Sequence, residues 1–409
     1  MEDQPSPHPS VRSERAPGGG PFRHVPTRRP PVRIWVWTAV TLLVAAVAVL
    51  SWQTSDAAAT SSTTAAAAQV PDAAVAAQVS AVWASPTGPA PRRVVESGRV
   101  LVTDEHGVAM VDASTGAEAW HYRRSNARLC DATAVDGVVV AVFRTTSRCN
   151  EAVAFTASTG VRAWTRNVRY RTDVDLTSTD QILLASSPTG IVTLDPTGNN
   201  TRWRYAPPAG CRLADSDVGT SGVVVLQRCS DTATLQVQLL DGFGGDVIWS
   251  QDVDTGGATA RLAGVDRLVD VVIGDRVQVL SPADGTLLTE LALPALTGGQ
   301  TVRTEPLQQA GMGDVALLWA RGTVYVLDQT TGLPRWQVPA LGLPSVSGTT
   351  TPDATVTVPE DGAFVQRSLA DGAEVSRSTT ADDVPAGGRT SLLGPVIVYA
   401  TADEVRAYR

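Results

Sequence analysis

Charge is scarce in this sequence of 409 residues, and lysine is absent: all 33 basic residues are arginine, and charged residues make up 18% of the chain. The missing lysine is a compositional bias and indicates no function. Hydrophobic residues make up 43%, which excludes a disordered protein and supplies material for a large core. The net charge is −8, and because residues 1–33 are basic, the rest of the chain is more acidic still. An acidic domain lacks the basic footprint that phosphate contacts need, and we predict no nucleic acid partner.

Charged residues are also missing from residues 34–52, a mainly apolar run of about 19 residues that nearly spans a hydrocarbon core. Trp35, Trp37 and Trp52 lie at its two ends, where interfacial aromatic residues are common. We therefore predict a single transmembrane helix over residues 34–52, which makes the membrane a partner of the chain.

The segment before this run, residues 1–33, carries six arginines against three acidic residues and is rich in Pro, Gly and Ser. We predict a disordered basic tail there. Arg28, Arg29 and Arg33 precede the apolar run, and no arginine follows it before Arg92. The positive-inside rule then predicts a single-pass protein of the cell membrane, with a cytoplasmic N-terminus and an extracytoplasmic C-terminal domain.

A cleaved signal peptide is the alternative to an anchor, because the small residues at 56–60 offer a peptidase site. The apolar run is longer than the roughly 7–15 residues of a usual signal-peptide core, which favours an uncleaved anchor. Residues 53–78 are rich in Ala, Thr and Ser. We predict that they form a tether between the membrane and the domain.

Long helical periodicity is missing from about residue 79 onward. Short β-rich runs, such as residues 138–143 and 315–319, alternate with turns of Gly, Asp and Thr. Residues 79–409 are therefore predicted to form an all-β domain.

A repeat organises this domain: an apolar strand leads into a Thr-Gly, Asp-Gly or similar turn, and in the clear copies a Trp follows four residues after the Gly. The clear copies contain Gly116 and Trp120, Gly160 and Trp164, Gly245 and Trp249, and Gly332 and Trp336. Weaker copies in the same phase end at Trp203, whose turn is displaced by one residue around Gly198, and at Thr289 and Ser376. The period is about 43 residues, within the range of propeller blades.

These copies resemble the PQQ-like (pyrroloquinoline-quinone) β-propeller repeat. The resemblance implies that each Trp docks against the neighbouring blade and that the Gly permits the tight turn; a positive φ and a large indole suit those roles. The chain ends at Arg409 before a last Trp strand, whereas Trp83 lies on an orphan Trp strand 37 residues before Trp120. We expect this N-terminal strand to complete the final blade, which gives an eight-bladed propeller of four-stranded blades.

The four cysteines fall into two pairs, Cys130 with Cys149 and Cys211 with Cys229, separated by 19 and 18 residues. In each pair the first cysteine comes just before a blade's inner strand and the second ends the next strand, so antiparallel pairing would bring them together. We predict these two disulfides, each stabilising the fold by roughly 3 kcal/mol. A cysteine metal site is disfavoured, since no CxxC motif occurs and four histidines leave few partners.

Candidate catalytic residues are few. His106 and His121 are the only histidines after the apolar run, and no GxSxG motif supplies a nucleophile, so we interpret both as surface histidines. Three acidic clusters lack calcium-loop spacing and are interpreted as solvated loop carboxylates: residues 173–175, 215–217 and 382–383.

The resemblance also suggests a second hypothesis, that the chain is a quinoprotein dehydrogenase. Enzymes of that class use adjacent cysteines, calcium and a catalytic Asp. This chain has no adjacent cysteines, and its propeller is shorter than theirs, so we predict no catalytic residue, no cofactor and no metal. It more closely resembles the non-enzymatic branch represented by the propeller lipoprotein of outer-membrane protein assembly. That resemblance implies a binding or scaffold module of the bacterial cell envelope with unidentified protein partners. The alternative is a small-ligand sensor or a quinoprotein-like oxidoreductase that uses the central channel.

Overall fold

The computed structural model describes residues 32–88, 92–230, 232–296, 299–346 and 354–409. The chain divides into two units, Met1–Ser55 and Asp56–Arg409. In the described part of the first unit, one helix covers Val32–Gln53, and its mean hydropathy reaches 2.2 over 18 residues. Its 22 residues are long and apolar enough to cross a membrane. The basic tail predicted over residues 1–33 lies almost entirely outside the described residues.

The second unit is built from strands, apart from one four-residue helix at Asp56–Ala59. Its sheets follow one another along the chain as the eight blades of a propeller, which confirms the predicted fold class. The strands of blades 1 to 4 are Val95–Glu96, Arg99–Asp104, Gly107–Asp112 and Glu118–Arg124; Arg128–Val135, Val138–Arg144, Cys149–Thr156 and Arg162–Tyr170; Asp175–Ser178, Leu183–Ser187, Gly190–Leu194 and Thr201–Tyr205; and Cys211–Gly219, Gly222–Cys229, Leu235–Leu240 and Val247–Val253.

Blades 5 to 8 continue the same antiparallel order. Their strands are Ala260–Gly264, Val269–Ile273, Arg276–Leu280 and Leu287–Ala292; Leu307–Met312, Val315–Ala320, Thr323–Asp328 and Pro334–Pro339; Thr355–Glu360, Ala363–Ser368 and Glu374–Thr379; and Gly388–Leu393, Val396–Ala400, Glu404–Tyr408 and Ala81–Pro86. Blade 7 has three strands in its own sheet, because the short strand Gly342–Leu343 pairs in parallel with Gly388 and Arg389 of blade 8.

Burial differs between the inner and outer strands of a blade. The second strand of blade 2, Val138–Arg144, buries six of its seven residues because it is covered on both faces by neighbouring blades. The outer strand of the same blade, Arg162–Tyr170, buries Trp164, Val168 and Tyr170 between exposed or partly exposed residues. This pattern puts the core between the blades and leaves the outer face of the ring to solvent.

The ring is closed by the N-terminal part of the domain. Ala81–Pro86 pairs antiparallel with Glu404–Tyr408, and Trp83 lies opposite Ala407. The prediction that an N-terminal strand completes the last blade is confirmed.

The segment before this strand differs from the free tether that its composition predicts. Thr60–Ser62 pairs antiparallel with the outer strand of blade 1, the Ala65 amide donates to the Thr159 carbonyl at 2.9 Å, and the Ser378 hydroxyl donates to the Ala76 carbonyl at 2.7 Å. We call residues 60–79 the strap. Its contacts are made largely by the backbone, and small side chains allow that close approach, so composition alone gave no signal for it.

Two disulfides are present. Cys211 and Cys229 lie opposite each other on the first and second strands of blade 4, as the spacing predicts. The other disulfide joins Cys130 on the first strand of blade 2 to Cys149, which begins the third strand. The prediction that Cys149 ends the second strand is wrong, because the loop at residues 145–148 carries the chain past that strand before Cys149.

Candidate functional site

The junction between blades 1 and 2 is built on Trp120. Its side chain is fully buried, and its indole Nε1 donates to the Ala157 carbonyl in the next blade at 2.8 Å. The turn that carries this carbonyl ends at Gly160, which has a φ of +76°; a Cβ there would lie 2.7 Å from the indole ring. Glycine is therefore required at this turn both for its backbone conformation and for the space that the indole fills.

The same contact recurs around the ring. In each case an outer-strand Trp donates to a carbonyl of the next blade's turn and lies against that turn's glycine: Trp83 with Gly116, Trp203 with Gly245, Trp249 with Gly285 and Trp336 with Gly372. Trp164 donates to the Pro196 carbonyl, and there Asn199 rather than Gly198 takes the positive φ, at +57°. Gly285 and Gly372 were missed among the candidate residues, although an Asp-Gly pair marks both in the repeat.

Two junctions lack the indole. Thr289 occupies the Trp position of blade 5, and the turn glycine of blade 6, Gly332, faces Leu288 and Thr289 instead. Ser376 occupies that position in blade 7, where the strap joins the blade through Val79, whose amide donates to the Thr379 carbonyl at 2.9 Å.

Polar groups join blades 5 and 6. The Arg321 guanidinium and the Glu305 carboxylate form a 2.7 Å ion pair, with 4% and 1% of their side chains exposed. Arg321 also donates to the Gly274 carbonyl of blade 5 at 2.6 Å. Nearby, the Gln309 amide of blade 6 donates to Asp270 of blade 5 at 2.6 Å, and burial raises the pKa of Asp270 to about 7.

Buried and partly buried carboxylates also link the innermost strands. Asp131 of blade 2 accepts a hydrogen bond from the Leu176 amide of blade 3 at 2.8 Å, and Asp215 of blade 4 accepts one from the Leu262 amide of blade 5 at 2.9 Å. Burial, together with the charge of Asp175, raises the pKa of Asp131 to about 7, and burial raises that of Asp215. The interpretation of residues 215–217 as solvated loop carboxylates is wrong, since they lie on a strand and join blades.

A cavity of about 270 Å³ lies among the first strands of blades 4, 5, 6 and 8, and therefore within the central channel. Its lining includes Arg92, Asp217, Gln308 and Arg389. The Arg92 guanidinium lies between Asp175 and Asp217, at 3.1 and 3.4 Å from their carboxylates. This arrangement neutralises Arg92 within the cavity wall.

Arg389 is compensated far less. The one hydrogen bond of its guanidinium among the described residues goes to the Gln309 carbonyl at 3.4 Å, and burial together with the charges of Arg92 and Arg93 lowers its pKa to about 10. In the same wall, the Gln308 amide donates to the Gly387 carbonyl at 2.7 Å, while its buried Oε1 has no partner in the described structure. The cavity thus offers a cation and an open acceptor to a small anionic ligand.

Other candidate residues are spread over the ring. His106 Nδ1 contacts the Ala127 carbonyl, whereas His121 lies beneath the strap, 2.8 Å from the Ser61 hydroxyl. Within the described ranges, no cluster of three or more His, Cys, Asp or Glu residues has the geometry of a metal site.

A comparison with known protein families agrees with this architecture. The family model described as outer membrane protein assembly factor BamB matches residues 52–225 and 191–355. Among solved structures, BamB from Moraxella catarrhalis is 16% identical with a TM-score of 0.47, covering 81% of this chain and 97% of that one. A quinohemoprotein alcohol dehydrogenase from Pseudomonas putida HK5 is 12% identical with a TM-score of 0.48, covering 81% of this chain and 76% of that one. No curated protein matches the chain.

The fold and its Trp-bearing repeat define a β-propeller of the PQQ-like class. Within that class, the chain belongs to the family of the outer membrane protein assembly factor BamB.

Proposed function

We propose that the chain is a membrane-anchored extracytoplasmic propeller that serves as a binding or scaffold module of the cell envelope, without quinone chemistry of its own. The observation that carries the proposal is the closed ring, in which eight blades pack face to face and the last is completed by the strand Ala81–Pro86. A rigid ring holds its connecting loops in fixed positions, which suits a display surface for partners. The family match supports the same role.

The extracytoplasmic location is supported by the cysteines, all four of which are disulfide-bonded. Disulfides persist in oxidising compartments outside the cytoplasm. The apolar helix Val32–Gln53, with the arginines before it, supports an anchor with its N-terminus in the cytoplasm.

Thiol alkylation at cell lysis tests this topology. Thiols are blocked with a maleimide at lysis, with and without prior reduction, and the mass of the protein is measured. We expect no modification without reduction and four added groups after it. Four modified thiols without reduction would place the domain in the cytoplasm and contradict the proposal.

In-cell crosslinking tests the scaffold role. A photo-crosslinking residue replaces exposed Phe243 in the turn of blade 4, and a control protein carries residues 1–78 fused to an unrelated domain. We expect discrete crosslinked proteins with the full chain that the control lacks. Identical crosslinks in both would overturn the scaffold proposal.

A small-ligand function is the second candidate, and Arg389 favours it. The unfolding temperature of the full chain in detergent is measured with glucuronate, with neutral glucose as the matched control, and with the quinone cofactor. We expect a saturable rise with glucuronate that glucose does not give and that Arg389→Gln abolishes, whereas Arg377→Gln on the outside of blade 7 retains it. A saturable rise of several degrees with the quinone would instead favour an oxidoreductase.

A further inference from the structure

The strap brings a serine to the one histidine that it covers. Ser61 lies on the strand Thr60–Ser62, and its Oγ is 2.8 Å from Nε2 of His121 on the outer strand of blade 1. The other ring nitrogen, Nδ1, is 2.6 Å from Oε1 of Glu118. We propose that Ser61, His121 and Glu118 form a proton relay that makes Ser61 a nucleophile toward small esters, an activity additional to the scaffold role and independent of it.

The tautomer of His121 follows from its neighbours. A carboxylate can only accept hydrogen bonds, so the Glu118 contact requires the proton on Nδ1. The hydroxyl of Thr63 lies 3.2 Å from the same nitrogen and already accepts from the His121 backbone amide at 3.0 Å. Nε2 is then left as an acceptor, and the Ser61 hydroxyl donates to it. This is the tautomer that a general base for a serine nucleophile requires.

Glu118 is held in its orienting position by Arg123. The Arg123 guanidinium donates to Oε2 of Glu118 at 2.8 Å, and also to Asp104 at 2.9 Å. Burial opposes ionisation of Glu118, but the hydrogen bonds from Arg123 and His121 outweigh it and lower its pKa. Glu118 therefore stays ionised and fixes the imidazole, whose side chain is only 13% exposed.

A donor for the developing oxyanion is supplied by the strand edge. The Ser125 amide donates to the Ala59 carbonyl, and the Thr63 amide donates to the His121 carbonyl. Because alternate residues of an antiparallel strand face the partner, the intervening Ser62 amide points to the open edge. The amide of the residue after the nucleophile is the position that serine hydrolases use for an oxyanion.

The relay accounts for a complete acyl-transfer cycle. The Ser61 oxygen adds to the ester carbonyl while its proton passes to Nε2 of His121. The tetrahedral species then expels the alcohol, which leaves with that proton, and an acyl-serine remains. Water adds to the acyl carbon, gives a proton to Nε2 and releases the carboxylic acid, and the proton returns to the Ser61 oxygen.

The position of Ser61 limits the substrate. Ser61 is exposed on an edge strand, so the site fits small esters or esters on flexible chains. The strap is also essential to the chemistry, because it carries the nucleophile whereas blade 1 carries the base and its orienting carboxylate.

Labelling of the full chain in detergent with a fluorophosphonate probe tests the proposal. We expect covalent labelling at Ser61, located by peptide mass spectrometry, and hydrolysis of p-nitrophenyl acetate by the same protein. Ser61→Ala should reduce both to background, and His121→Gln should slow labelling by about 100-fold. Ser80→Ala, which removes an exposed serine directly after the strap, is the matched control and should label normally.

Thermal unfolding of each variant separates chemistry from folding, and Glu118→Gln, which keeps the shape of the side chain, replaces His121→Gln if that variant fails to fold. We expect Glu118→Gln to slow labelling less than His121→Gln does. Absence of label at Ser61, or labelling of folded His121→Gln at the wild-type rate, would overturn the proposal while leaving the scaffold role intact.

Discussion

Two blade junctions in this ring are held together by different physical means. Between blades 1 and 2, the buried Trp120 lies on Gly160 and also packs 5.7 Å from the ring of Phe155. Between blades 5 and 6, the corresponding position is Thr289, and Arg321, which is paired with the buried Glu305, donates to the Gly274 carbonyl of blade 5. Both junctions bury apolar side chains, but the first is centred on an indole, whereas the second adds a buried polar network.

This difference determines how each junction responds to damage. Apolar burial stabilises the folded state in proportion to the area removed from water, so losing part of the buried area removes only part of the stabilisation. A buried ion pair contributes little net free energy when complete, but loss of one partner leaves a buried charge uncompensated. The junction without a Trp should therefore be the more sensitive of the two to single polar substitutions.

Truncation of the indole should produce the largest effect. We expect Trp120→Ala to lower the free energy of unfolding by about 5 kcal/mol, because the side chain is fully buried and leaves a cavity. Urea unfolding of the full chain in detergent measures the change. Val161→Ala, at a residue 54% exposed beside Gly160, is the control and should stay within about 0.5 kcal/mol of wild type. Equal losses in the two variants would contradict docking by Trp120.

Neutralising the buried Glu305 should produce the second-largest loss of stability. Glu305→Gln leaves the Arg321 charge buried without its counterion, and we expect a loss of about 4 kcal/mol in the same assay. Asp314→Asn, the control, breaks an ion pair between Asp314 and Arg335. The Asp314 side chain is 59% exposed, so the substitution should cost less than about 1 kcal/mol. A small effect of Glu305→Gln would mean that the polar network does not hold blades 5 and 6 together.

The two junctions were not equally predictable from sequence. Trp120 and Gly160 recur at a fixed phase, so their positions and the blade count could be predicted. The pair of Arg321 and Glu305 occurs once, 16 residues apart, and no repeat marks it. The strap was misjudged because its bonds are made by backbone groups, and Asp215 was misjudged because only the fold puts it beside the next blade. The relay of Ser61 and His121 was invisible for the same reason, since 60 residues separate its members.

Protonation of Asp270, at the junction of blades 5 and 6, should further distinguish the two junctions, because it makes only this one sensitive to pH. Its usual pKa of 3.8 rises to about 7 in the folded protein. Between these two pH values, Asp270 is therefore protonated in the folded protein but ionised in the unfolded chain. The stability contributed by Asp270 is thus present at low pH and is lost as pH rises through about 7.

Asp270→Asn removes this titration while keeping an acceptor for Gln309. We expect the free energy of unfolding of the variant, relative to that of wild type, to increase by about 3 kcal/mol from pH 4 to pH 8. Urea unfolding across that range measures the change. Asp361→Asn, at an exposed turn of blade 7, is the control. A difference between Asp270→Asn and wild type that does not change with pH would contradict the burial of a proton at this junction.

The most direct test of blade docking compares two glycines of blade 2 that share a φ of +76°. A Cβ at Gly160 would meet the Trp120 ring at 2.7 Å, whereas a Cβ at Gly137 would meet nothing within 4 Å. Both substitutions to Ala bear the same backbone cost, so the difference in unfolding free energy reports the contacts of the added Cβ at Gly160, which are the indole ring and, at 3.0 Å, the Thr63 carbonyl. We predict that Gly160→Ala costs about 2 kcal/mol more than Gly137→Ala, and that most of this excess disappears in a Trp120→Ala background. Equal costs in the wild-type background would contradict the account.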